Sequence, residues 1–439
     1  MIRRQIIALL AAGLATSWAM PAMAQAQSPL TLPQAVKMAL STSWSIGSAD
    51  AQVLGAQDRV QEADNGFAPS VSLGAMPLRI GLLDPPDISA LLDSLSPGLA
   101  SAFSPDMISE TVTVKQVLYE GGKIGLGQQA ARIGADLALT QRQIQERDVA
   151  YNTASAYLGV LRAQELQDAA AWGVKEALAH LADAQLRERQ GAGTQFDVLQ
   201  ARSAVAAAQT RQIQVEDAVK TTRLALGTLI HHPLGHRALD PLPVLPDVQV
   251  RGRQKAQGLA ARPEVRALED QISLARNSAA MQRRNLLPTA AVEGIFGQSA
   301  GGPTRFYVLL GSLTWTVFDG GRTRSEIAQK DQAVKSSIDN LRAAKDGLRL
   351  EIDRALIDRN EARKRMRLSE SSLETAQAAY RLAMLRFREG AGTGTEVIDA
   401  TTAVVGAKNA YIQAMYDELG AEVTLAKAVG IDLASLLQK

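Results

Sequence analysis

A sixteen-residue segment that occurs twice constrains this 439-residue chain more than any other feature. Residues 186–201 read LRERQGAGTQFDVLQA, and 199 residues later residues 385–400 read LRFREGAGTGTEVIDA. Leu, two Arg, Gly-Ala-Gly-Thr, Val and Ala recur without a gap, and Asp197/Glu396 and Leu199/Ile398 match in kind. The same offset aligns Tyr119-Glu120-Gly121-Gly122-Lys123 with Phe318-Asp319-Gly320-Gly321-Arg322. Two landmarks held at one spacing across about eighty residues read as a duplicated unit. In each copy the glycines interrupt two long Ala/Leu/Gln/Arg-rich runs. Gly191, Gly193, Gly390 and Gly392 are expected at a reversal where glycine takes the positive φ that ends a helix. Thr194 and Thr393 are placed to cap the next helix, with Asp197 and Glu396 in its first turn. Each copy is predicted to be a long helical hairpin with this turn at its tip.

Helix lengths extend the argument. Residues 123–190 and 323–389 each predict about 100 Å of helix at about 1.5 Å per residue. The return helices, 195–230 and one of similar length after Thr393, cover about half of that. Residues 31–66 and 263–287 supply the rest if they stack end to end, with Ala35, Val36, Ala39 and Leu40 on one face of the first. Helices this long imply coiled-coil packing, and Tyr151, Ala154, Leu158 and Leu161 show its spacing. Strand patterns fall at 69–79, 109–118, 289–297 and 305–317. In the last, Tyr307, Leu309, Leu313, Trp315 and Val317 share a face, while Phe306, Val308, Leu310, Ser312, Thr314 and Thr316 lie on the other, which turns polar in its second half. Such alternation fits a lipid-facing barrel strand and also a soluble hairpin. Four strands cannot close a barrel, and open edges are not tolerated in lipid, so membrane strands would have to be pooled between chains. The first copy carries a longer loop, a Pro/Ser/Asp-rich stretch at 83–105, where the second has Gly301-Gly302-Pro303.

Targeting and composition narrow the classes. Residues 1–24 read as a cleaved export signal, with Arg3 and Arg4, an apolar run from Ile6 to Leu14 and Ala22-Met23-Ala24. The chain has no Cys, so neither a disulfide nor a lipid-modified Cys is available. No other apolar run approaches the roughly 20 residues of a spanning helix. Forty-seven basic residues balance 45 acidic ones to a net charge of +2, which gives no nucleic-acid footprint. Residues 231–262 form a proline-rich linker with His231, His232 and His236; with no Cys or carboxylate cluster beside them, they read as solvated rather than as a metal site. Gly125-Leu126-Gly127 mimics a dinucleotide fingerprint, but a half-polar strand before it and a helix of nearly 70 residues after it do not fit a βαβ unit. No catalytic constellation is visible, so no enzyme and no cofactor are expected.

The two G-A-G-T-x-x-[DE]-V-[LI]-x-A tips, the two [YF]-[ED]-G-G-[KR] junctions and Ala261-Arg262-Pro263-Glu264 together resemble the TolC-type outer-membrane efflux proteins, the exit ducts of drug pumps and type I secretion systems. The resemblance covers essentially the whole mature chain and differs from lipid-anchored members in lacking Cys. It implies an α+β membrane channel: helical hairpins form a periplasmic α-barrel, and four strands per chain join a transmembrane β-barrel of twelve strands in a homotrimer. A first repeat at 25–230 and a second at 263–439 follow. The resemblance implies that Glu396 and Asp399, one helical turn apart, ring the periplasmic pore as a gate. Gly392 stands where the family carries a basic latch residue. It implies that the tips (Gly191, Gly193, Thr194, Asp197, Gly390, Gly392, Thr393) meet a periplasmic adaptor serving an inner-membrane transporter. Tyr307, Leu309, Leu313 and Trp315 are expected to face outer-membrane lipid. A soluble coiled-coil adaptor or scaffold is the alternative, but an adaptor of this kind carries a lipoyl-like domain and one hairpin, whereas two hairpins are read here.

Overall fold

The computed structural model describes residues 29–79, 106–241, 258–300, 305–431 and 433. The expected signal segment, the 83–105 loop, the Gly301-Gly302-Pro303 turn and half of the linker lie outside these residues. Helix α1 (Leu32–Thr42) starts with a capping box between Thr31 and Gln34. The single helix expected over 31–66 is instead two, because α2 (Trp44–Asp64) begins after a break at extended Ser43. Ser41 and Thr42 both donate their hydroxyls to the Met38 carbonyl, at 2.9 and 2.8 Å, in competition with the helical ladder. Strands β1 (Ser70–Arg79) and β2 (Asp106–Glu120) lead to α3 (Lys123–Arg189), 67 residues long, which α4 (Gln195–Leu229) follows back. Next come α5 (Pro263–Arg283), β3 (Thr289–Ala300) and β4 (Arg305–Thr314). A second 67-residue helix, α6 (Arg322–Arg388), and α7 (Gly394–Val429) complete the chain.

Helices α3 and α6 run the length of the molecule. In the tip half the helices lie in a row, α4–α3–α7–α6; in the sheet half the row is α2–α3–α5–α6. Small residues such as Ala154, Ala169, Ala170, Gly173, Ala177 and Ala184 form much of the buried face of α3, which lets its neighbours approach closely. The largest core lies at mid-length, where α1, the end of α4 and α7 converge on α3 around Tyr157, Leu30, Leu226, Ile230, Ile352 and Leu425. Tyr151, Ala154, Leu158 and Leu161 all belong to it, as their spacing predicts. A parallel bridge joins Leu30 to Leu239 beside this core.

The sheet is antiparallel throughout, in the order β1-β2-β3-β4. Directly paired residues share a face, so register sorts the side chains. One face carries Val71 and Leu73, Val112 and Val114, Val292 and Phe296, and Tyr307, Leu309 and Leu313. The other carries Ser70, Ser72, Thr111, Thr113, Lys115, Glu293, Ser312 and Thr314, with Lys115 directly opposite Glu293, and also Val117, Ile295, Val308 and Leu310. Strand ends differ from expectation. β2 and β3 run longer, and β4 stops at Thr314, paired with Thr289, rather than at Val317. The next position across from it is Pro288, which has no N–H to offer. Trp315 therefore lies outside the strand, and its indole N–H donates to the Leu286 carbonyl at 3.1 Å.

The Tyr157 hydroxyl, wholly buried, sits 2.8 Å from the Leu30 carbonyl oxygen and 2.9 Å from that of Asp240. Tyr157→Phe should cost about 0.5–1.5 kcal/mol by removing one hydrogen bond, since the Leu30 carbonyl keeps the Asp240 N–H. Thermal unfolding in detergent should show a lowered midpoint; an unchanged midpoint would mean that the hydroxyl does not tie the chain's start to the mid-length core.

Candidate functional site at the hairpin tips

Each tip is built by two glycines with different tasks. Gly191 and Gly390 take the positive φ expected of a reversal, +71° and +77°. Behind them Ala192 N–H donates to the Arg187 carbonyl at 2.9 Å, and Ala391 N–H to that of Arg386 at 2.8 Å. Gly193 and Gly392 do not have positive φ, contrary to expectation. They are needed for close approach: a Cβ on Gly193 would lie 3.1 Å from Arg187 Cβ, and one on Gly392 would lie 3.0 Å from the Phe387 nitrogen. Thr194 then caps α4, its hydroxyl oxygen accepting from Asp197 N–H at 3.3 Å. The Asp197 carboxylate accepts in return from Thr194 N–H at 2.9 Å and from its hydroxyl at 2.7 Å. These bonds, the backbone one foremost, hold the Asp197 carboxyl below its ordinary range.

The second tip is not a copy of the first. Thr393 accepts from Glu396 N–H at 3.2 Å, but the Glu396 carboxylate turns to Arg386, 3.9 Å away. Glu396 and Asp399 are both exposed, while Gly394 and Val397 on the same turns are buried. The Thr395 hydroxyl donates to Gln200 at 3.2 Å and so ties α7 to α4.

The two tips are joined by residues that sequence reasoning missed. The Arg187 guanidinium lies 4.0 Å over the Phe387 ring and donates to the carbonyls of Phe387 and Arg388. His180 meets the same ring edge-on, with centroids 5.2 Å apart. Phe387 is 5% exposed and His180 4%. Higher up, Tyr380 donates to Glu176 and stacks edge-on against Trp172. A signal for this joint lay in the repeat. Arg187 and Arg386 are matched, but Phe387 stands where the first copy has Glu188, so only one arginine has an aromatic partner across the gap.

The remaining candidates fall elsewhere. Tyr307, Leu309 and Leu313 share the apolar face of the sheet and are exposed in the single chain, and Trp315 follows the strand. His231 ends α4 at φ +51° against Trp44, and among the described residues no group of His, Cys, Asp and Glu is arranged to hold a metal. Gly125 and Gly127 lie inside α3, so no phosphate loop exists there. Among the described residues no helix is long and apolar enough to cross a membrane.

Comparison with known proteins places this geometry. The chain is 25% identical over 411 residues to the pyoverdine export outer membrane protein OpmQ of Pseudomonas putida, covering 91% of this chain and 85% of that relative. The fold superposes on the crystal structure of CusC with a TM-score of 0.78 at 15% identity, over 92% of this chain and 93% of CusC. It superposes on VceC of Vibrio cholerae with a TM-score of 0.75 at 16% identity, over 91% and 96% of the two chains. Residues 35–231 and 256–431 match the model of the outer membrane efflux protein family. With that match spanning both hairpins and all four strands, the chain belongs to the outer membrane efflux protein family: it is an outer-membrane exit duct with a periplasmic extension, not a soluble adaptor.

Proposed function

We propose that three copies of this chain form one continuous conduit, in which their strands pool into a transmembrane β-barrel and their hairpins into a periplasmic α-barrel. The observation that carries this reading is the sheet register: four strands with one apolar face, one mixed face that holds the sheet's paired Lys115 and Glu293 and most of its hydroxyls, and unpaired outer edges. From Tyr307 to Leu313 the apolar face of β4 extends about 20 Å along the strand, most of the roughly 25 Å apolar band of outer-membrane barrels, and Trp315 follows just past the strand end. Aromatics flank it, with Phe296 and Tyr307 paired at one end and Trp315 at the other. Beyond Tyr307 a polar rim follows, where Gln298 donates to Glu110 at 3.3 Å. On this reading the apolar face meets outer-membrane lipid and the mixed face lines the lumen.

The helical row points the same way. Its outer members in the tip half are α4 and α6, which expose Leu199, Ile213 and Leu224, and Leu350, Ile357, Leu368 and Leu382. Joining α4 of one copy to α6 of the next covers both stripes and closes the tube. The tips then face a periplasmic adaptor that connects the duct to an inner-membrane transporter, in a tripartite efflux pump or a type I secretion system. Glu396 and Asp399 ring the periplasmic opening in two stacked layers. The family's latch position is Gly392 here, and Arg386 approaches the first acid from the same hairpin instead.

Three experiments test these assignments. Leu309→Arg places a charge at mid-band, which costs about 2–4 kcal/mol per copy, so the yield of assembled oligomer in the outer membrane should fall. Leu313→Arg, nearer the helical end, should cost less. Equal yields for both variants and wild type would remove the face from lipid. Gly390→Val strains the positive-φ turn without touching the barrel. It should lower export while outer-membrane trimers persist, and normal export would count against tip docking. For the gate, crowded acids titrate as a coupled set and attract cations. Glu396→Gln combined with Asp399→Asn should abolish block by multivalent cations added from the periplasmic side in planar bilayers and reduce cation selectivity. Unaltered block would make these acids solvated helix-start residues.

A further inference from the structure

We propose that the His180–Phe387–Arg187 joint is an acid-sensitive clasp, in which protonation of His180 releases the second hairpin tip from the first. The separation of the tips rests on the joint alone; its consequence, an acid-promoted opening of the periplasmic end, rests on the conduit reading above.

His180 is buried, and its Nδ1 has no hydrogen-bond partner. Its ring is wedged between the Phe387 edge and Gly394, where an added Cβ would lie 3.4 Å from Nε2. A neutral imidazole fits there as a half-apolar plate. An imidazolium presents two N–H donors and a charge, and the Phe387 ring and the Gly394 Cα that flank it carry no oxygen to accept them. The charged groups around the ring do not rescue it. On its own helix, Asp183 favours the cation and Arg187 opposes it; from α4, Asp197 favours it, and Arg211 lines the same cavity of about 230 Å³. The α6 and α7 groups against that side, Phe387, Gly394, Ile398, Thr401 and Val405, are uncharged. Burial outweighs the two acids and pushes His180 below its ordinary value. Asp197 is itself held low by Thr194, so it stays ionised while His180 titrates.

The sign follows from linkage. Packed tips bind fewer protons than separated tips, whose imidazole titrates near about 6.5. The packed arrangement is therefore fully favoured above that pH and loses stability as pH falls below it. The clasp is present once per chain, because the position 199 residues after His180 is Ala379.

The chain has no Cys, so Gln190→Cys with Glu389→Cys puts one spin label on each exposed tip of the full-length protein in detergent. Pulsed electron–electron distance measurements at about pH 7.5 and about pH 5 should show the longer-distance population growing at least about threefold. His180→Phe should hold the short distance at both values. An unchanged distribution in the labelled parent, or an equal shift in His180→Phe, overturns the proposal. If His180→Phe does not assemble, imidazole C2 hydrogen–deuterium exchange on the unlabelled protein decides instead. Titration of His180 below the free-imidazole value of about 6.5 is expected, and titration at or above it overturns the proposal. Planar-bilayer conductance separates the two claims: tips that part in acid without any conductance at any pH leave the clasp standing and remove the duct.

Discussion

A β-sheet in hydrocarbon must pair every backbone N–H and C=O, because each unpaired group there costs several kcal/mol. The sheet of this chain has an apolar face fit for lipid, yet β1 and β4 each keep one edge without a strand partner. On the proposed lipid placement those edges need other strands to close them, and no strand remains among the described residues to do it. The helices meet the same demand in weaker form. Their row ends at α4 and α6, and both expose leucines along faces that no helix of the chain covers. Sheet and helices thus run out of partners at both outer margins. On that proposal a single copy is a wall segment rather than a closed body.

Much of the single chain's fold was readable in the residues because the repeat multiplied weak signals. A single Gly-Ala-Gly-Thr is an ordinary turn, but two at one offset fixed both reversals. The capping threonines behaved as their chemistry predicts. Periodicity found the long helices to within a residue or two at their ends, since 67 residues of uninterrupted helix leave little ambiguity. The misses share a cause. The break at Ser43 depends on two hydroxyls choosing one carbonyl, the end of β4 depends on the proline just before β3, and the ordinary φ at Gly193 and Gly392 goes with crowding by the preceding helix. Each is set by specific contacts, two of them within a few residues and one from another segment, that hydrophobic spacing does not encode.

The joint between the tips shows the same limit from another side. Arg187 and Arg386 occupy matched positions, yet one reaches across to a ring on the other hairpin and the other stays beside its own Glu396. What separates them is a single mismatch, Glu188 against Phe387, inside an otherwise well-matched segment. Matched residues built the fold that the hairpins have in common, and the unmatched ones built the contact between them. His180 belongs to the second group, with alanine at the matched position.

Packing along the axis explains why such a joint can matter. The large core sits at mid-length, where Tyr157, Leu226, Ile352 and Leu425 are fully buried and α1 braces α3. Toward the tips the buried cluster shrinks to Ala184, Val198 and Ala201, with Leu181 packed against it. Side chains this small give little hydrophobic stabilisation, at roughly 25 cal/mol per Å² buried. Regions with few buried apolar contacts open at the lowest free energy. The end of the wall is therefore held less by core than by a handful of directional contacts: a guanidinium over a ring, an imidazole edge and a threonine hydroxyl on a glutamine. Directional contacts can be switched by one proton or one bound partner, whereas the mid-length core cannot.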